Sequence, residues 1–68
     1  MNTELFNENL EDLISKMLVN ICYYDSDPEV EIGFTINCLE TLIGRSFSAE
    51  EIDTWYAALA IIVEKALN

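Results

Sequence analysis

The sequence predicts an all-α fold, an antiparallel bundle of three helices over about residues 4–23, 28–43 and 49–67. Three observations carry this. Apolar residues recur at three- and four-residue steps in the first and last of these stretches, which places them along one side of a helix. Helix-boundary residues bracket the middle stretch at both ends. The joins are short, and short joins favour antiparallel neighbours.

In the first helix, Phe6, Leu10, Leu13, Ile14, Met17, Leu18 and Ile21 make the apolar side, while Glu4, Glu8, Glu11 and Asp12 fall toward the other. Thr3 is the expected N-cap, and Glu4 supplies charge that suits the first turn. Asp12 and Lys16, four residues apart, are spaced for a weak surface ion pair. Asp25-Ser26-Asp27-Pro28 then breaks the pattern.

The middle stretch carries two conflicting patterns. Asp27 as N-cap with Pro28 at the first helical position starts a helix, and Gly44 stands where a left-handed residue would end it. Yet Val30, Ile32, Phe34, Ile36 and Cys38 alternate with Glu29, Glu31, Gly33, Thr35 and Asn37, as in a half-buried strand. The helix is preferred, because both boundaries carry helix punctuation and the apolar run continues as Leu39, Leu42 and Ile43. A lone strand also has no second strand in the chain to pair with. The alternative is an α+β fold with residues 29–38 as a strand paired across a dimer. Gly33 inside the helix costs about 1 kcal/mol against Ala.

The last helix has the strongest start. Ser48 and Glu51 are spaced as a capping box, and Phe47 and Ile52 occupy the staple positions. Ile52, Trp55, Tyr56, Leu59, Ile62, Val63, Ala66 and Leu67 form its apolar side.

Residues 1–68 read as a single acidic helical domain. A domain this small hides only roughly 60% of the surface its unfolded chain exposes. The composition is nonetheless 51% hydrophobic, too rich for a disordered acidic tail. The middle helix is apolar over most of its circumference, and Ile61 projects opposite the core side of the last helix, among Ala57, Ala58 and Ala60. This surplus predicts a homodimer through the second and third helices, with Ile32, Leu39, Ile43 and Ile61 as self-association residues.

Thirteen acids face Lys16, Arg45 and Lys65, for a net charge of −10. That balance argues against direct contact with nucleic acid, whose affinity comes from Lys and Arg displacing counterions. It argues equally against an anionic membrane surface. The longest apolar run, Tyr56 to Val63, is far short of the about 20 residues of a membrane span. The start, Met-Asn-Thr-Glu, has no basic residue and no apolar segment behind it, so the expected location is cytoplasmic.

Catalytic chemistry finds little to work with. There is no histidine, hence no commonest general base or metal ligand. The two glycines cannot build a phosphate loop. Asp25, Asp27, Glu29 and Glu31 alternate like the start of a calcium loop, but the glycine position falls on Val30 and the closing acid position on Ile36. Cys22 and Cys38 fall roughly 13 Å apart along a helical hairpin, too far for a disulfide, and are expected as buried reduced thiols. No enzyme, cofactor or metal is expected. Trp55, Tyr56, Tyr23 and Tyr24 are residue types that anchor partners, although core and rim packing accounts for them as well.

The expected function is therefore to bind a partner protein and regulate or inhibit it. Glu4, Glu8, Glu11, Asp12, Asp25 and Asp27 form the expected acidic face, suited to a basic nucleic-acid-binding surface on the partner. In size and acidity the chain is similar to the small inhibitors that phages and plasmids make against host nucleases and defence complexes. The likeness is one of type, with no diagnostic motif. The alternative is a self-assembling structural or adaptor subunit that works through apolar helix surfaces.

Overall fold

Three helices account for the chain in a computed structural model that describes residues 3–68: α1 (Thr3–Cys22), α2 (Pro28–Ile43) and α3 (Ala49–Leu67). Among the described residues there is no strand, so the alternating stretch is helical. α2 packs against both α1 and α3, which touch each other more sparingly. The result is a flattened bundle-like body of 33 × 26 × 17 Å.

Local chemistry explains each boundary. Asp27 is extended at φ −64°, ψ 121°, and its carboxylate accepts the Glu29 N–H at 2.9 Å. Pro28 follows at the first helical position, where its missing N–H costs nothing. α2 ends at Gly44, φ 88°, whose N–H donates to the Glu40 carbonyl at 2.8 Å. That left-handed conformation is open to glycine because no Cβ crowds it.

α1 differs from expectation at both ends. Thr3 is already helical rather than a cap, and Cys22 rather than Tyr23 is the last helical residue. The chain turns at Asp25, which adopts φ 60°, and the Ser26 N–H closes back onto the Asn20 carbonyl at 3.0 Å. Aspartate is one of the few non-glycine residues that visits this region routinely. Asp12 and Lys16 form no ion pair; among the described residues the ion pair is Arg45 to Glu51.

The start of α3 is the most densely bonded corner. Ser48 Oγ accepts the Glu51 N–H at 3.2 Å, and Glu51 Oε1 accepts the Ser48 N–H at 3.0 Å, which completes the capping box. The Glu51 carboxylate also takes a two-pronged bond from the Arg45 guanidinium, at 3.0 and 2.7 Å. That bond, followed by the one from the Ser48 backbone, holds the Glu51 carboxyl down at about 2. Phe47 is buried; its N–H donates to Glu40 Oε2 at 2.7 Å and its ring stacks on Trp55 at 6.1 Å. Arg45 lies over the same ring at 5.5 Å. Ile52, the expected staple partner, remains 37% exposed.

The core draws on every element: Met17 and Ile21 of α1, Ile32, Ile36 and Leu39 of α2, Phe47 of the second connection, and Leu59 and Val63 of α3. Thr35 is the buried polar residue, and its hydroxyl donates to the Glu31 carbonyl at 2.8 Å. That bond removes the cost of an unmet donor inside the body.

Candidate protein-binding surface

An α-helix turns about 100° per residue, so residues two apart point nearly opposite ways. The alternating row of α2 therefore splits into two stripes. Ile32 and Ile36 go inward with Leu39. Val30, Phe34 and Cys38 go outward, with Val30 53% and Phe34 62% exposed. The outward stripe continues through Asn37 and Thr41, both exposed. Val30, Phe34, Asn37, Cys38 and Thr41 carry no formal charge, in a chain of net −10.

Beside this stripe, α1 and α2 enclose a surface groove. Two contiguous hollows of about 310 and 250 Å³ share Leu13, Lys16 and Cys38. Asn20 stands opposite Glu31 at one end, and its side-chain amide donates to Glu31 Oε2 at 3.1 Å. Asn9 shares the other end with Thr41 and Leu42. Leu13 and Leu42 bring apolar surface to the groove, with the buried Met17 beneath, and Phe34 borders it.

The acids expected on one face divide into two groups. Glu4, Glu8, Glu11 and Asp12 are exposed along α1, away from the core side that carries Met17 and Ile21. Asp25 and Asp27 sit in the connection beyond the far end of α1, about 30 Å from Glu4 along the helix axis. Asp27 is engaged as the α2 cap. Asp12 also lines the groove, and so joins the α1 carboxylates to it.

The expected self-association residues divide too. Ile32 and Leu39 are 2% and 0% exposed inside the chain's own core and are closed to a second copy. They fill the space between α1 and α3 because α2 lies against both. Ile43 is partly buried against the same core, while Ile61 is 53% exposed. Two exposed apolar residues of α2, Val30 and Phe34, were not among those expected at the surface. Their signal was present in the four-residue steps 30, 34 and 38 within the alternating row.

Both cysteines are free, but they are exposed rather than buried. Cys22 ends α1 on its outward side, and Cys38 lines the groove. Tyr23 and Tyr24, at 84% and 74% exposed, project beyond α1 instead of packing. Trp55 is half-buried against the core. An open hollow at the start of α3, lined by Glu50, Glu51, Thr54 and Trp55, carries carboxylates that complement the helix N-terminus. Among the described residues, no group of three or more His, Cys, Asp or Glu side chains is placed to hold a metal ion. No described helix is long and apolar enough to cross a membrane. No protein-family model, no curated protein and no solved structure matches this chain.

Proposed function

We propose that this chain is a non-enzymatic acidic protein that binds another protein and regulates or inhibits it. The observation that carries the reading is the exposure of Glu8, Glu11 and Asp12 on α1 with no described basic side chain paired to them. Together with Glu4 they space carboxylates about one helical turn apart on a rigid support, a pattern that complements a basic surface. In this reading the partner's surface is one that otherwise meets nucleic acid, as for inhibitors of the phage and plasmid anti-defence type. The place of action is the cytoplasm. The helices run antiparallel to their neighbours, which the Asn20–Glu31 and Asn9–Leu42 proximities support.

Salt dependence tests the reading. Once the partner has been isolated from the host cell, the complex is expected to weaken steeply as ionic strength rises. Replacing Glu8, Glu11 and Asp12 by their amides is expected to flatten that dependence. A complex indifferent to both changes removes the mimicry. The exposed Ile61 favours a second reading, a self-assembling adaptor subunit or homodimer. There Ile61→Glu splits the assembly and abolishes function together, and sedimentation of the variant decides.

A further inference from the structure

We infer that the groove between α1 and α2 is the docking site for a basic amphipathic helix of a partner protein. The inference rests on the protein-binding reading above and names the site and the partner's chemistry. Shape comes first. The groove runs from Asn9 to Asn20 on α1 and from Glu31 to Leu42 on α2, eleven residue steps on each. At 1.5 Å per step that is about 16 Å, the length of about three helical turns. A helix laid there would rest on both α1 and α2, completing the flattened body as a fourth rod.

Chemistry narrows the occupant. The partly buried Leu13 and Leu42 offer an apolar bed, and Phe34 and Cys38 stand beside it. Docked helices bury an apolar stripe in such a groove. The exposed, uncharged Phe34 and Cys38 beside the bed are of the kind found in interface cores, which are depleted in charge and enriched in aromatics. The margins are acidic. Asp12 borders one hollow and Glu31 the other, with the Glu31 carboxylate held in place by Asn20 at 3.1 Å. Lys16 is the cation among the lining residues. A helix with an apolar stripe and basic flanks satisfies both bed and margins. A second copy of this chain does not, because it would bring two bodies of net −10 together, with one Lys16 each against Asp12 and Glu31.

The test uses a synthetic peptide of about four turns, with Leu at heptad a and d steps and Lys elsewhere. Its control has the same composition in an order without helical period. The full chain is expected to bind the ordered peptide, which gains helix by circular dichroism. Bound peptide is expected to shield Cys38 from a maleimide in the native protein while Cys22 stays reactive, because both thiols are free and exposed and only Cys38 lines the groove. Phe34→Asp is expected to weaken binding by about tenfold or more, and Lys16→Glu to strengthen it. The thiol readout on the unaltered chain stands even where Phe34→Asp lowers stability. Cys38 remaining reactive under saturating peptide overturns the proposal. So does equal binding of the two peptides with no effect of Phe34→Asp; the acidic-surface reading then survives alone. A native dimer that Phe34→Asp dissociates makes a second copy the occupant and also overturns it. Failure of every cationic peptide to bind overturns the groove proposal and leaves the protein-binding reading to its own salt-dependence test.

Discussion

Leu39 and Phe34 lie on opposite sides of one helix, and truncating each to alanine separates the two roles of α2. Leu39 is fully buried at 0% exposure, whereas Phe34 is 62% exposed. Leu→Ala in a closed core removes the transfer free energy of the lost carbons and leaves a cavity, together about 2–5 kcal/mol. A chain of this length holds about 3–10 kcal/mol in total. At 4–8 °C per kcal/mol for a small domain, Leu39→Ala is expected to lower Tm by about 8–40 °C. Phe34→Ala forfeits only the covered part of the ring, about 1 kcal/mol. The assay is thermal unfolding by circular dichroism at two protein concentrations about a hundredfold apart. Leu39→Ala should lose the same stability at both, because its contacts lie within one chain. Equal losses at the two positions would refute the inward and outward assignment. A Leu39→Ala loss that grows on dilution would return Leu39 to a subunit interface.

The two glycines should respond with opposite sign. Gly33 lies inside α2, where an added Cβ would meet nothing within 4 Å, so Gly33→Ala is expected to stabilise by about 0.5–1 kcal/mol in urea unfolding. Gly44→Ala meets the same open space at φ 88° and is expected to cost about 1 kcal/mol. Glu51 makes stability depend on pH. Its carboxyl, ordinarily at 4.5, is held at about 2 in the folded chain, so the contribution is complete above about 4.5 and disappears as pH falls through about 2. The stability difference between the native chain and Glu51→Gln should therefore shrink across that interval; a difference that persists below it contradicts the assignment. Cys22 and Cys38 should both react with a thiol reagent in the folded state, measured against the rate in denaturant, because both are exposed. Protection of either without a ligand would count against that surface.

Much of the local architecture was legible from residue order. The Ser48–Glu51 box, the Asp27–Pro28 start and the Gly44 stop depend on hydrogen bonds spanning a few residues, and the structure forms each of them. The turn at Asp25 was not legible, since an aspartate can serve as cap, turn or surface charge, and its φ is set by where the helices on either side must go. The acidic face was legible only in part. Helical spacing set Glu4, Glu8, Glu11 and Asp12 along α1, but the connection to α2 left Asp25 and Asp27 far from Glu4.

Residue order alone favoured a chain of three helices and set the stops and starts of α2 and α3, because capping and periodicity act over distances of a turn or two. It also showed that α2 is apolar on more sides than one. Which of those sides is the core was decided by the tertiary structure. Packing α2 against both neighbours enclosed Ile32, Ile36 and Leu39 and left Val30, Phe34 and Cys38 at the surface beside the α1 groove. Both stripes are greasy enough to bury, and burial depends on what lies across from them, a fact held by the arrangement of helices rather than by any one of them.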